Sequence, residues 1–378
     1  MAKASLSIKK HFRKLKDPRR RHRRQHLFLD ILVIAICGVI SGCNSWTQIA
    51  AFGRKRHDWL KRFLTLPNGI PCHDTFERLF ERLDPEVFQN CFRDWMLALA
   101  GTVGIEQIAI DGKTLRRSGT GDLGPLHLVS AWATKNHLSL GQVAVDEKSN
   151  EITAIPKLLE LLDLHGALVS IDAMGCQKQI AAHIRAKGGH YVLTVKANQE
   201  QLLTDIQNCF ERACETDFVG LDHDTYTTEE KGHGRKEVRS YTIIRNPRGI
   251  RNQDAWRDLC VIGMCGSERT MKGETSTEVR FFIGSKKASA RYYGKALRRH
   301  WSIENNLHWQ LDVNFGEDYN RTKERTAAQN LALLRRLAVT LLKHHPDKES
   351  ITCKRLQAAW NTEFLEEVIR GSANLESQ

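Results

Sequence analysis

The sequence has few of the features that mark a secreted, zinc-binding or membrane-spanning protein. Its ten cysteines include no C-x-x-C pair, which argues against a zinc ribbon, and we expect reduced thiols in a cytoplasmic protein. The longest apolar stretch, Leu27 to Cys43, contains Asp30 and is followed by no A-x-A cleavage site, so it predicts a buried helix. Internal repeats and low-complexity segments are also absent, and 41% hydrophobic with 27% charged residues is typical of a soluble globular chain.

Positive charge is concentrated at one end of the chain. The formal net charge is +13, yet residues 1–24 hold eleven Lys or Arg and a single acidic residue, Asp17. Such an arm suits a polyanion, because each neutralised phosphate releases condensed counterions. A solvated tail or a patch for an anionic membrane surface would have the same composition. The charge pattern favours nucleic acid as the partner.

The next residues predict a helical segment followed by a sheet. Residues 25–103 read as a small helical domain, because apolar positions recur at helical spacing. After Gly104, three short strands are followed by helix, strand, helix and strand, up to residue 204. This order predicts an α/β fold with a mixed sheet, in which an antiparallel meander precedes right-handed parallel crossovers.

The pattern changes again toward the carboxyl end. Residues 205–288 predict a β-rich insertion, because short β-like segments replace the alternating helices and strands. Two helices over residues 289–346 then return to the α/β domain, which is thus predicted in two parts, 104–204 and 289–346. The last residues, 347–378, are assigned as a C-terminal tail.

Two aspartates follow apolar runs at the predicted ends of strands. Asp111 follows "IAI" and Asp172 follows "LVSI". The first and fourth strands can lie adjacent and parallel, which would bring both carboxylates to the edge where ligands of open α/β sheets bind. Close carboxylates repel unless a proton or cation intervenes, and a hard divalent ion such as Mg²⁺ suits them. The simpler alternative for Asp111 is a solvated Asp-Gly turn.

A third carboxylate is predicted from helical geometry. At about 100° per residue, apolar residues between Leu297 and Leu311 fall within about 60° of Glu304 on a helical wheel. This places Glu304 along the apolar face, where a carboxylate is costly unless it binds a metal or pairs with Arg298 or Arg299. The two aspartates make the metal the better explanation.

Several segments together resemble one family. The stretches IAIDGKTLRRS, VSIDAMGCQ, YVLTVKANQ, GHGRKEVRSY and HWSIENNLHWQLDVNFGED resemble the DDE transposases of bacterial insertion sequences, in particular the H-repeat-associated transposases. The resemblance covers nearly the whole chain, and the long block around Glu304 is its most specific part. It implies a ribonuclease-H-like domain with a β-rich insertion before the glutamate helix.

The resemblance implies a metal-dependent enzyme that cuts and joins DNA. Carried over by position, the catalytic and metal-binding triad is Asp111, Asp172 and Glu304. Two ions, Mg²⁺ or Mn²⁺, about 3.5–4 Å apart would clamp the attacking and leaving oxygens of an in-line displacement, with Asp111 bridging both. The resemblance also implies double-stranded DNA as the partner, both element ends and target, a homodimer on DNA, no membrane association and a cytoplasmic location at the nucleoid.

The DNA contacts are predicted less sharply than the triad. Related transposases carry a tyrosine and an arginine before the glutamate and a lysine after it, whereas Leu297, His300 and Leu311 occupy those positions here. The candidate contacts are Arg19, Arg20, Arg21, Arg23, Arg24, Lys113, Arg116, Arg298, Arg299, His300, Asn305 and His308. The segment GHGRKEVR fits either a DNA contact or a basic hairpin turn. The competing interpretations are a structure-selective nuclease of the same fold, an inactive DNA-binding remnant and a membrane-surface protein.

Overall fold

The computed structural model describes residues 10–100, 104–121, 123–145, 149–232 and 234–370. Within these ranges the α-helices are α1 Phe28–Ile40, α2 Trp46–Lys55, α3 His57–Lys61, α4 His73–Phe80, α5 Pro85–Ala100, α6 Glu151–Glu160, α7 Lys178–Ala186, α8 Glu200–Glu215, α9 Ala290–His300, α10 Trp309–Val313, α11 Arg325–His344, α12 Ile351–Trp360 and α13 Thr362–Arg370. The strands are β1 Gln107–Leu115, β2 Leu126–Ala133, β3 Leu138–Ala144, β4 Leu168–Ile171, β5 His190–Val195, β6 His223–Gly232, β7 Arg235–Arg245, β8 Val261–Met271 and β9 Glu274–Gly284.

These nine strands form one mixed sheet, in the order β3-β2-β1-β4-β5-β9-β8-β7-β6. Strands β1, β2 and β3 form an antiparallel meander, whereas β1, β4 and β5 run parallel. Helices α6 and α7 supply the crossovers that parallel neighbours require. The predicted α/β fold is confirmed, and this half of the sheet has the ribonuclease-H-like arrangement that the resemblance implied.

The predicted β-rich insertion extends the same sheet. Strand β9 pairs antiparallel with β5, from Val192 opposite Gly284 to Val195 opposite Phe281, and β8, β7 and β6 continue outward from it. The insertion is therefore continuous with the α/β domain, and the boundary expected at residue 205 falls inside α8. Pairing between strands that are distant in sequence produces no local pattern. The sequence therefore predicts the α/β domain and the insertion as two separate units.

The helical segment is built around α1. Every residue of this helix from Asp30 to Ile40 is buried, as its continuous apolar run predicts. The Asp30 carboxylate accepts a hydrogen bond of 2.8 Å from the Leu66 N–H, which offsets the cost of burying it. Among the described residues, no helix is long and apolar enough to cross a membrane. The buried-helix prediction is confirmed.

Part of the basic arm packs against this helical core. The Phe12 ring is 2% exposed and lies 5.9 Å from the ring of Phe88 and 5.8 Å from that of Trp95, measured between centroids. Leu15 is also buried. The arm thus carries hydrophobic anchors between its basic residues, and only its exposed side chains are available to a polyanion. Residues 1–9 lie outside the described part of the chain.

The segment expected to be a C-terminal tail is folded. Helices α12 and α13 cover residues 351–370, and Leu365, Val368 and Ile369 are buried in the same core as α1. These apolar residues recur at helical spacing. The assignment of a tail did not consider this pattern, which indicates a helix. Residues 371–378 lie outside the described residues.

Candidate functional site

The structure places Asp111 and Asp172 on neighbouring strands. Strands β1 and β4 pair in parallel up to Ile110 opposite Ile171, so the two aspartates are the next residues in register. Side chains that share a register on adjacent parallel strands point to the same face of the sheet. The expected pairing of these strands is therefore present, and it brings the two carboxylates to one place.

Strand β1 does not end at Asp111. It continues to Leu115 through antiparallel pairing with β2, so both the strand-end and the Asp-Gly-turn interpretations of Asp111 are wrong. Gly112 has a different reason to be glycine: a Cβ there would lie 2.0 Å from Glu151 Oε1 and 2.6 Å from His127 Nε2. Those two atoms are themselves 2.7 Å apart in an ion pair. The glycine lets a fourth carboxylate and its histidine approach the backbone beside Asp111.

The helical-wheel prediction for Glu304 is also wrong, because the helix is not regular. Residues Glu304–His308 form a π-helical turn, in which the Trp309 N–H bonds to the Glu304 carbonyl five residues earlier. The wider turn rotates side chains away from the positions that an α-helical wheel assigns. Leu307 is fully buried, but the Glu304 side chain is 56% exposed. It needs no buried ion pair, and it lies near Asp111 of β1.

A cluster of potential metal ligands forms at this point. Oxygen atoms of Asp111 and Glu304 and a ring nitrogen of His308 all lie within 4.8 Å of one another. His308 Nδ1 is 3.4 Å from Asp111 Oδ2 and 3.5 Å from Glu304 Oε2. One oxygen of Asp172 accepts a hydrogen bond of 3.1 Å from the Met174 N–H. His308, predicted as a DNA contact, instead lies buried among the carboxylates.

The carboxylates strongly influence one another. Burial, then the neighbouring Glu304 and Asp172, raise the pKa of Asp111 to about 9. Burial and the nearby Glu151 carboxylate raise the pKa of Asp172. The adjacent His308 imidazole lowers the pKa of Glu304. Oxygen donors that keep a proton because they are buried and lie near one another's charges are well suited to a divalent cation, so the residues present fit the expected metal.

This pKa shift predicts a pH dependence in the metal-free protein. A carboxyl group whose pKa rises from 3.8 to about 9 on folding stabilises the fold most below pH 4, and this contribution is lost as the pH rises through about 9. We expect the melting temperature of the wild type in chelator to fall, relative to that of Asp111→Asn, between pH 5 and pH 9. If the melting temperatures of the two proteins change in parallel with pH, the raised pKa of Asp111 is contradicted.

Lys113 and Arg116 are placed differently from their predicted role. The Lys113 side chain is 8% exposed, and its Nζ lies 2.6 Å from Asp312 Oδ1 and 3.4 Å from Asp318 Oδ1. Arg116 is exposed and pairs with the same Asp318 at 3.1 Å. Lys113 is therefore not free to contact a phosphate; it ties β1, two residues after Asp111, to the segment that follows the π turn.

The candidates of the arm divide into exposed and buried side chains. Arg19 is buried and bonds to Asp17 and to the His26 carbonyl oxygen. Arg24 is also engaged, since it bonds to the carbonyl oxygens of Arg19 and Asp17. Arg20 and Arg21 are exposed, and Arg24 is exposed in spite of these bonds. The side chain of Arg23 lies outside the description.

Three of the candidates on α9 and the π turn, Arg298, His300 and Asn305, line a groove. Arg298 pairs with Glu230 at 2.9 Å and Arg299 approaches Glu106 at 3.7 Å. His300 is hydrogen-bonded to Ser170 Oγ, and burial lowers its pKa to about 4, so it is neutral at pH 7. Asn305 is exposed. The groove has a volume of about 440 Å³ and is lined by Arg298, His300, Trp301 and Asn305 on one side and by β7, β8 and β9 on the other.

On the strand side of this groove, sequence reasoning considered only the segment GHGRKEVR, as either a DNA contact or a hairpin turn, and missed the other residues. Alternate residues of the three strands line it, including Arg235, Arg239, Arg269, Arg280, Glu237 and Glu278. The Arg280 guanidinium stacks on the Trp301 ring, 4.7 Å from its centroid. The period of two in "RKEVRSY" is the signal that could have found them, because alternate residues of a strand share one face. Arg235 and Arg239 are thus on a strand face, and His233 lies outside the described residues.

Comparison with known proteins gives consistent results. Residues 9–96 match the model of the family DDE_Tnp_1-associated, and residues 103–341 match that of the family Transposase DDE domain. The chain is 38% identical over 368 residues to a protein named putative transposase YncI of Escherichia coli O157:H7, covering 95% of this chain and 93% of that one. It is 36% identical over 373 residues to the H repeat-associated putative transposase YhhI of Escherichia coli strain K12, covering 97% and 98%.

Among solved structures, a chain of the piggyBac transposase synaptic complex with hairpin DNA aligns over 99% of this chain and 82% of that one, with 10% identity and a TM-score of 0.43. A score below 0.5 supports no conclusion about this protein. The family-model match alone extends over more than half of the sequence and contains Asp111, Asp172 and Glu304. The chain therefore belongs to the Transposase DDE domain family, and its relatives include proteins named H repeat-associated putative transposases.

Proposed function

We propose that this protein is a DNA transposase that cuts and joins DNA at the ends of an insertion sequence by metal-dependent in-line phosphoryl transfer. The observation that carries the proposal is the meeting of Asp111, from a central strand, with Glu304, from the π turn, beside Asp172 on the adjacent strand. Residues far apart in sequence converge at one edge of the sheet, where their mutual repulsion serves no purpose in stabilising the fold.

In this proposal Asp111, Asp172 and Glu304 would hold Mg²⁺ or Mn²⁺. Such ions supply charge stabilisation at the attacking and leaving oxygens of the phosphoryl group. The chain's own part is positional: β1 and β4 fix the two aspartates in register, and Lys113 fixes the segment after Glu304 against β1. No covalent enzyme–DNA intermediate is required.

The groove beside Glu304 is the proposed path of a DNA strand. Its five arginines outnumber its two glutamates, Glu237 and Glu278, which favours a polyanion. The Trp301 side chain is 46% exposed and offers a ring on which a base can stack. Asn305, between the groove and Glu304 in the π turn, would place the scissile phosphate next to the carboxylates. Because phosphate contacts carry no sequence information, the groove fixes position and not sequence preference.

The exposed residues of the arm predict a change in salt dependence. Deleting residues 1–24 would also remove the buried Phe12 and Leu15, so we expect a cleaner result from the double variant Arg20→Gln/Arg21→Gln. Each lost phosphate contact reduces the slope of log K against log salt by about 0.9, which gives a change of about 1.8 in DNA binding. The matched control is Arg248→Gln/Arg257→Gln, two exposed arginines far from the arm in sequence. Equal slopes for the two double variants would show that the arm is not on the DNA.

The proposed function is tested with purified full-length protein, Mg²⁺ or Mn²⁺, and a supercoiled plasmid carrying the DNA that flanks its own gene. Nicking at the element ends and joined products are expected. Nicking without joined product would indicate a structure-selective nuclease instead. Binding without cleavage in either metal would indicate an inactive remnant of the family.

A further inference from the structure

His308 lies at the carboxylate cluster, within the π-helical turn. Its side chain is only 6% exposed, so it cannot serve as a surface contact for DNA. It follows Glu304 by four residues, a spacing that places two helical side chains on the same face, and its imidazole approaches the carboxylates of both Glu304 and Asp111. π-helical turns of this kind occur frequently at functional sites. The turn thus presents a nitrogen donor beside the two oxygens.

The distances at His308 are too long for strong hydrogen bonds and suit a shared ion. A charge-assisted N–H···O bond measures about 2.7–2.9 Å, whereas Nδ1 lies 3.4 Å and 3.5 Å from oxygens of Asp111 and Glu304. Around an ion with ligands at about 2.1 Å, adjacent ligand atoms are about 3.0 Å apart at octahedral angles and about 3.4 Å apart at tetrahedral angles. Both Nδ1 distances thus approach the spacing of two ligands on one ion, and all three donor atoms lie within 4.8 Å of one another.

No hydrogen bond at Nε2 explains the burial of this ring. Within the described residues, His308 Nε2 is buried without a hydrogen-bond partner. The directed interactions of this ring are those of Nδ1 with the two carboxylates.

We propose that His308 is a metal ligand, which binds one divalent ion through Nδ1 together with one oxygen each of Asp111 and Glu304. The proposal rests on the proposed function for the presence of the metal, but it assigns a different donor set. Imidazole nitrogen suits transition metals, whereas Mg²⁺ prefers oxygen ligands. The site formed by His308, Asp111 and Glu304 therefore favours Mn²⁺ over Mg²⁺. A site formed by Asp111 and Asp172 would offer only carboxylate oxygens.

The test is pulsed electron paramagnetic resonance of the full-length protein loaded with Mn²⁺. We expect a hyperfine coupling from a directly bound imidazole nitrogen, and its pattern should change when the protein is grown with histidine labelled by the heavier nitrogen isotope. The coupling should disappear in His308→Gln and persist in His300→Gln, a neighbouring buried histidine. By titration, His308→Gln should lower Mn²⁺ affinity about tenfold or more and leave Mg²⁺ affinity nearly unchanged.

The outcomes of this experiment separate the role of His308 from the proposed function. Mn²⁺ that binds to the wild type without nitrogen coupling would overturn the role of His308 and leave the carboxylate site intact. A coupling that is lost in His300→Gln and kept in His308→Gln would also overturn it. If neither metal binds and neither supports DNA cleavage, the proposed function fails as well. If His308→Gln does not fold, the wild-type spectrum can still overturn the role of His308, because the absence of nitrogen coupling there excludes a bound imidazole.

Discussion

An Asp111→Asn variant is expected to fold and to bind DNA like the wild type but to lose cleavage and joining. Asn keeps the size of the side chain and suits the pairing of β1 with β2, but it removes the charge that the proposed metal site needs. A metal clamp supplies several kcal/mol of transition-state stabilisation, so we expect the rate of strand cleavage to fall by at least about 10³-fold. Single-turnover cleavage of labelled element ends measures this directly.

The matched variants make this result specific. Asp172→Asn and Glu304→Gln should each cause a comparable loss, and the three effects should not add, because residues that act as one unit are lost together. Asp254→Asn, an exposed aspartate in a turn outside the site, should cleave normally. If Asp111→Asn cleaves at close to the wild-type rate, Asp111 is not part of the catalytic site. The structural role of β1 would be unaffected by that result.

The central sheet can be predicted because its signals are local. Each of the first five strands is a short apolar run bounded by turn residues, and the order of helices between them restricts which strands can be neighbours. These local signals are enough to predict that Asp111 and Asp172 lie side by side. In the structure, the parallel pairing of β1 with β4 places them so. The attachment of the insertion to β5 is not predictable in this way, because it depends on pairing between strands distant in sequence.

The errors in the site have specific physical causes. Asp111-Gly112 has the composition of a turn, but β2 supplies hydrogen-bond partners beyond it and the strand continues. The placement of Glu304 assumes constant helical geometry, and the π turn invalidates that assumption. Lys113 has the charge for a phosphate contact, yet two aspartates from a distant segment neutralise it. For Asp111 and Lys113 a contact with another element overrides a local tendency, whereas for Glu304 the local helix geometry itself differs.

A buried charge network supports the segment that follows the π turn. Glu317, in a short turn before α11, is fully buried, with Oε1 3.2 Å from Arg336 Nη1 and 3.8 Å from Arg335 Nη1. Both arginines are almost fully buried, and burial lowers the pKa of Arg335 to about 10. One carboxylate thus compensates two guanidinium groups. The neighbouring Asp318 pairs with Lys113, so the same turn also holds the side of β1 that carries Asp111.

Glu317→Gln is expected to cause the largest loss of stability among the substitutions considered, since it leaves two buried guanidinium groups without a counter-charge. Removing one partner of a buried pair costs about 3–5 kcal/mol of unfolding free energy. Arg335→Met should cost less, because it removes one of two like charges and keeps the closer pair of Glu317 with Arg336. Denaturant unfolding of both variants, with the exposed Glu211→Gln as control, measures the order. A larger loss for Arg335→Met than for Glu317→Gln would show that packing, and not charge compensation, dominates at this turn.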